Sequence, residues 1–157
     1  MTYKFFWGGK YSNFHPCTLE AAGSIFTNSE QYFMFCKAMY FNDMDSAKKI
    51  LKTPDPKAAK RLGRGVKDFD ADKWSKVSEV YMWNAIYYKF TQNPELKHAL
   101  LTEKADLFVE ASPYDKIWGI GLSEEEAKRT PEAEWPGENR LGQLLTKLRT
   151  VLKEENV

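Results

Sequence analysis

Asp72-Lys-Trp74-Ser-Lys-Val77-Ser-Glu-Val80-Tyr81-Met-Trp83-Asn-Ala85-Ile-Tyr87-Tyr88-Lys-Phe90-Thr-Gln92 is the stretch that decides the fold. Trp74, Val77, Tyr81, Ala85 and Tyr88 recur at the helical spacing of three or four residues. Val80, Trp83, Tyr87 and Phe90 make a second stripe. Asp72 opens this helix on the usual acidic start signal. A helix apolar on two faces belongs in the middle of a core, so 72–92 is expected to be central and buried. Asn93-Pro94 ends it and starts another helix through about Leu101.

Upstream, Thr27-x-x-Glu30 fits a capping box and predicts a helix carrying Tyr32, Phe33, Phe35, Cys36, Met39 and Tyr40. Asp43 is a further start signal, and so is Asp55-Pro56. Gly63 and Gly65 are expected to close the helix that Pro56 begins. The first 28 residues read as turns and short strands, rich in turn formers at Gly8-Gly9 and Ser12–Cys17, with 25–28 extended. Downstream, Leu107–Ser112 predicts a strand. Residues 113–137 read as loop, apart from a helical turn at Ser123–Ala127. From Glu138, a last helix sets Leu141, Leu144, Leu145, Leu148 and Val151 on one face. The expected fold is mainly α with a minor α+β part: one multihelical domain over 1–157, with a few short strands near the site.

The 157 residues suffice to bury roughly two-thirds of the unfolded surface. Hydrophobic residues at 43% and charged residues at 29% mark a globular chain. A formal charge of +1 gives no bulk electrostatic case for nucleic-acid or membrane binding. The local exception is Lys57–Lys67, with five cations in eleven residues; it reads either as a solvated helix face or as a phosphate-facing edge. Cys17 and Cys36 lack CxxC spacing, and with only His15 and His98 beside them a Cys/His metal site is not expected. With no signal peptide and no apolar run of spanning length, a cytoplasmic protein with reduced thiols and no membrane contact is expected.

Chemistry concentrates in two distant segments, each setting a carboxylate among aromatics. One is Asp115-Lys-Ile-Trp118-Gly119-Ile-Gly121; the other is Thr27-Asn-Ser29-Glu30-Gln31-Tyr32-Phe33. Paired carboxylates are what glycosidic cleavage requires. Each residue also has a plainer reading. Glu30 caps a helix, Asp115 makes a turn, Trp74 and Trp118 fill core, and Asn139 caps the last helix. Desolvation among aromatics would raise the Glu30 pKa and suit it to proton transfer.

The blocks Tyr11-Ser12-Asn13-Phe14, Ser29-Glu30-x-Tyr32-Phe33 with Lys37, Arg64 before Phe69-Asp70, Trp74, Lys89-Phe90-x-Gln92-Asn93-Pro94-x-Leu96, Asp115-x-x-Trp118-Gly119-x-Gly121 and Gly137-x-Asn139-x-Leu141-Gly142 follow in an order that resembles the NADAR (YbiA-like) family. The resemblance covers nearly the whole chain. It implies a mostly helical domain that hydrolyses N-glycosidic bonds, acting either on phosphoribosylamino-pyrimidine intermediates of the riboflavin pathway or on ADP-ribose attached to guanine. It places catalytic roles on Glu30, Trp74 and Asp115, with Trp118 beside them. Ser12, Asn13, Phe14, Lys37, Gly119 and Asn139 fall on pocket positions. Gln31 stands where the family often has histidine.

Cleaving a ribosyl C–N bond builds oxocarbenium character on the sugar. Glu30 is the expected carboxylate nearest the sugar and base on water. Asp115 would bind sugar hydroxyls or assist the leaving group, and the two roles can be exchanged. Trp74 and Trp118 would flank the leaving base or the sugar, and Lys37 and Arg64 would contact phosphate. The scheme calls for no metal and no cofactor. The expected partner is a small phosphoribosyl or ADP-ribosyl substrate, including ADP-ribosylated nucleic acid, while the oligomeric state stays open. The competing readings are a module that binds ADP-ribose or a nucleotide without hydrolysing it, and an interaction domain.

Overall fold

The computed structural model describes residues 1–155. In chain order its elements are β1 (Tyr3–Phe6), β2 (Leu19–Ala21), β3 (Ser24–Phe26), α1 (Ser29–Tyr40), α2 (Met44–Leu51), α3 (Pro56–Arg64), α4 (Ala71–Gln92), α5 (Pro94–Thr102), β4 (Leu107–Glu110), α6 (Glu124–Lys128), a 3-10 turn at Glu132–Glu134, and α7 (Arg140–Glu155). The chain is mainly helical with a minor sheet component, as the periodicity indicates. It divides into two compact units, Asn13–Leu96 and Met1–Ser12 with the chain from Lys97 onward.

In the Asn13–Leu96 unit, α1 and not α4 is the enclosed helix. It packs on α2, α3 and α4, and eight of its twelve residues are buried. α4 is one-sided. Trp74, Ser78, Met82, Ala85, Ile86, Lys89 and Phe90 face inward, whereas Val80, assigned to the second apolar stripe, is 62% exposed. The second stripe is therefore only partly core. Close packing fixes the α1–α3 contact at Gly63, where a Cβ would fall on Met34 Sδ. Gly63 lies inside α3 and does not terminate it; the helix ends one residue later, with Gly65 as its C-cap.

Three helix starts also differ from the sequence expectation. The N-cap of α1 is Asn28, whose side chain accepts the Gln31 N–H at 2.8 Å, so Thr27 lies just outside. The N-cap of α4 is Asp70, which accepts the Lys73 N–H at 3.1 Å, two residues before Asp72. α7 begins at Arg140. In each case two polar residues stand close together, and sequence alone does not say which one turns out of the helix. Asp43 and Asp55 cap α2 and α3 as expected.

β2 and β3 pair antiparallel across Ala22-Gly23, both at positive φ, which a two-residue turn of this hand requires. The hairpin is fastened to the end of α4. The Glu20 N–H donates to Gln92 Oε1 at 2.7 Å, and Gln92 Nε2 returns to the Glu20 carbonyl at 2.9 Å. Asn93 Nδ2 donates to the carbonyls of Thr18 and Lys89.

In the other unit, β1 and β4 pair in parallel, Tyr3 opposite Leu107 through Phe6 opposite Glu110. α7 lies on β4 through Leu141, Leu145, Leu148 and Leu152, all buried and spaced as one helical stripe. Gly142 lets the helix sit against the strand, because a Cβ there would fall on the Phe108 carbonyl and the Asn139 amide. A second apolar cluster joins Val109, Ile120 and Ala127 to Tyr3, Phe5, Leu122 and Trp135, so the loop segment 113–137 contributes core of its own. Among the described residues, no helix is long and apolar enough to cross a membrane.

Candidate functional site

Glu30 stands in the first turn of α1 and is only 6% exposed. Its backbone N–H donates to the Asn13 carbonyl at 3.0 Å. The neighbouring Ser29 hydroxyl donates to Asn13 Oδ1 at 2.8 Å, and Asn13 Nδ2 reaches Met82 Sδ at 3.4 Å. Asn13 therefore ties the N-terminal loop to the turn that carries the carboxylate. The helix N-terminus is also where a negative charge is best tolerated.

Gln31 completes this turn. Its Oε1 accepts the Thr27 N–H at 2.9 Å and the Thr27 hydroxyl at 3.2 Å, while its Nε2 donates to the carbonyls of Ile50 and Leu51 at 2.9 and 3.3 Å. The Gln31 amide thus joins the start of α1 to the end of α2.

Lys37 lies two turns further along α1. Burial pushes its ammonium below the usual lysine range, the Glu30 carboxylate pulls it back up, and the Arg64 guanidinium pushes it down. Lys37 therefore feels the charges of both Glu30 and Arg64. The Lys37 ammonium sits 4.3 Å from the centroid of the Phe69 ring. Phe69 follows Asp68, a non-glycine residue at φ 58. Phe69 meets Phe41 edge-on at 5.5 Å, and Phe41 lies 6.2 Å from Trp74. Trp74 stacks on Tyr81 at 5.7 Å and 19° and packs against Phe33 at 5.3 Å. An aromatic cluster thus runs from Phe33 on α1 through Trp74 and Phe41 to Phe69, over which the Lys37 ammonium sits. Phe69, Phe41 and Tyr81 were not singled out from sequence as site residues. Their signal is weak there, because the turn at Asp68 that aims Phe69 has no glycine to announce it.

Among the remaining candidates of this unit, Phe14 is half-buried, with the Lys60 ammonium 5.8 Å from its ring centroid. Arg64 is exposed at the end of α3, as are Lys57, Arg61 and Lys67, so the basic run is largely a solvated helix face.

In the other unit, Asp115 is half-buried, and its Oδ1 accepts the N–H groups of Ile117 and Trp118, each at 2.9 Å. The same residue's carbonyl accepts the Gly121 N–H at 3.1 Å. Gly119 is required by crowding, since a Cβ would stand 2.9 Å from the Glu110 carbonyl. Asn139 is 5% exposed at φ 54. Its Oδ1 accepts the Glu110 N–H and its Nδ2 donates to the Phe108 carbonyl, both at 3.0 Å. Its side chain binds β4, and its carbonyl accepts the Gln143 N–H of α7 at 3.0 Å. Ser12 is buried, and its N–H donates to the Gly9 carbonyl at 3.0 Å. Asn13, Glu30, Lys37, Arg64 and Trp74 thus belong to one unit, and Ser12, Asp115, Trp118, Gly119 and Asn139 to the other.

Both cysteines are free thiols, and among the described residues no three His, Cys, Asp or Glu side chains are grouped to hold a metal ion.

Residues 5–153 match the NADAR domain, a span that includes both units. The chain is 43% identical to N-glycosidase R617 of Acanthamoeba polyphaga mimivirus over 131 residues, covering 83% of this chain and 75% of that one. It is 32% identical to N-glycosidase YbiA of Escherichia coli K12 over 147 residues, covering 94% and 83%. The NMR structure of the E. coli protein YbiA superposes with a TM-score of 0.80 over 99% of this chain and 87% of that one. A riboflavin biosynthesis protein of Vibrio vulnificus is 30% identical over 93% of this chain, which spans 36% of that longer protein. On its sequence and its fold alike, this chain belongs to the NADAR family.

Proposed function

We propose that the protein is an N-glycosidase that hydrolyses the bond between a ribose carbon and a base nitrogen in a phosphorylated ribosyl compound, with ADP-ribose attached to guanine as the favoured substrate. The observation that carries this reading is the nearly buried Glu30 carboxylate in the first turn of α1, with Lys37 two turns along the same helix, set over the Phe69 ring beside a cluster of aromatic rings.

The chemistry follows from those groups. Glu30 faces the positive charge that develops on the sugar and takes a proton from the attacking water. Lys37 and Arg64 hold phosphate oxygens and so fix the sugar relative to the carboxylate. Trp74 and its neighbouring rings supply apolar surface that excludes water and strengthens the electrostatic contacts. Asp115, Trp118, Gly119, Ser12 and Asn139 enter through the family resemblance alone, Asp115 as the group that binds sugar hydroxyls or assists the departing base. Phe14 and Asn13 complete the proposed set, with Asn13 setting the Glu30 turn.

ADP-ribosylated guanine and a phosphoribosylamino-pyrimidine, incubated in parallel with the protein and followed by mass spectrometry, test the reading. Release of ADP-ribose, leaving unmodified guanine, from the first at the higher kcat/KM is expected, beside slower release of ribose phosphate from the second. Binding of both with release from neither would replace hydrolysis by ligand recognition.

A further inference from the structure

Trp7 is 63% exposed and Tyr114 is 85% exposed. Their rings meet at 5.9 Å and 52° within one unit. They stand just beyond the C-terminal ends of the two parallel strands, Trp7 directly after β1 and Tyr114 four residues after β4. Large rings left in water this way are not core that missed its place, since the loops beneath them are well tied. The Ser12 N–H closes the first loop on Gly9, and the Tyr114 N–H donates to Ser112 Oγ at 3.3 Å. Asp115 Oδ1 holds the next turn.

The surroundings favour one kind of occupant. Gly8 and Gly9, at φ 96 and 74, have no atom within 4 Å of the place a Cβ would take, so a flat group can approach the backbone beside Trp7. Lys10 and Lys116 are exposed on the same two loops. Flat rings with cations close by are the elements with which proteins hold single-stranded nucleic acid: bases stack on the rings and phosphates meet the cations. Two rings also offer far less surface than the roughly 800 Å² per partner of a stable protein interface. The pair continues into candidate site residues of the same unit, because Tyr114 precedes Asp115 and Trp7 lies five residues before Ser12.

We propose that Trp7 and Tyr114 form a stacking platform for a nucleobase of a single strand, DNA or RNA, next to the nucleotide whose base carries the ribosyl group that is removed. The platform stands on its own geometry; only the cleaved neighbour rests on the N-glycosidase reading. A phosphodiester strand supplies both the flat faces and the anions that the loops present. Stacking carries this contact more than charge does, so its dependence on salt should be shallow for a nucleic-acid contact.

The test is fluorescence anisotropy of labelled, unmodified single strands of about twelve nucleotides, DNA and RNA in separate arms, with a duplex of the same sequence as comparison. Replacing Trp7→Ala and Tyr114→Ala together should weaken single-strand binding by about tenfold or more, whereas Trp7→Phe with Tyr114→Phe should hold it within a few-fold. The alanine variant should keep its turnover of a mononucleotide-sized substrate while its KM for a ribosylated strand rises. The difference between the DNA and RNA arms identifies the source of the strand. The platform is overturned if neither strand binds the wild type, if the alanine variant binds as the wild type does, or if duplex binds as tightly as single strand. Single-strand binding lost in the alanine variant, with no cleavage of a ribosylated strand by the wild type, would uphold the platform and reject the N-glycosidase reading instead.

Discussion

The Asn13 carbonyl accepts the Glu30 backbone N–H at 3.0 Å, while Asn13 Oδ1 accepts the Ser29 hydroxyl at 2.8 Å. One loop residue thus fixes the helical turn from which the proposed catalytic carboxylate projects. Asn13→Ala leaves the buried Ser29 hydroxyl without that acceptor. Urea unfolding should show a loss of about 1–3 kcal/mol, and kcat should fall in the fraction that stays folded.

Gln31 is the second restraint on that turn, and it uses donor and acceptor at once. Gln31→Leu removes both ties and should cost about 0.5–1.5 kcal/mol, since the Ile50 carbonyl keeps the Thr53 N–H at 3.0 Å. Gln31→His should keep one donor and one acceptor while the ring is neutral. Protonation removes the acceptor, so the folded-state pKa of that histidine is depressed. The stability it contributes is present above the unfolded pKa and is lost as pH falls. Thermal melts at pH 8 and at pH 5.5 should therefore diverge in this variant more than in the wild type.

The lowered pKa of Lys37 bears on substrate binding. Its cationic form exists below that pKa, so contact with a substrate phosphate should weaken as pH rises, at a lower pH than an exposed lysine would show. A KM profile from pH 7 to pH 10 should climb on its alkaline side. Lys37→Arg, with a group that stays charged across this range, should flatten the climb.

Lys89 is fully buried, and burial brings its ammonium down to about 7, with Cys17 pulling weakly upward. Unfolding returns it to the ordinary lysine value, so between pH 7 and that value the unfolded chain binds more protons. The sign is that stability contributed by this site rises with pH, by about 1.4 kcal/mol per unit at most. Denaturation at intervals between pH 7 and pH 9.5 should show that rise in the wild type relative to Lys89→Met. Equal slopes in the two proteins would mean that Lys89 is not held in its neutral form.

Which parts of this molecule could be read from sequence follows from how the chain signals burial. α7 carries its leucines on one stripe against β4 and was legible for that reason. Asp43 and Asp55-Pro56 announced α2 and α3 because cap and proline chemistry is local. α1 was found but not recognised as the enclosed helix. It is packed by three others, so its apolar residues show no strong face, and its buried Ser29, Glu30 and Gln31 look like surface residues until their partners are seen. α4, with the longer apolar pattern, leaves Val80 in water. Of the candidate site, the Glu30 and Asp115 segments stood out through their residue types. The joining of Lys37 to Phe69, and of Gln31 to α2, depends on contacts between distant segments that no local pattern encodes.

The most direct test of the central claim is the turnover of Glu30→Gln on ADP-ribosylated guanine, beside the wild type and with folding checked by circular dichroism and thermal melting. The change keeps the shape of the side chain and removes its charge and its capacity as a base. A folded variant that has lost about 10²–10⁴ in kcat is the expected result. A folded variant with near-normal kcat would contradict the assignment of Glu30 as the catalytic carboxylate.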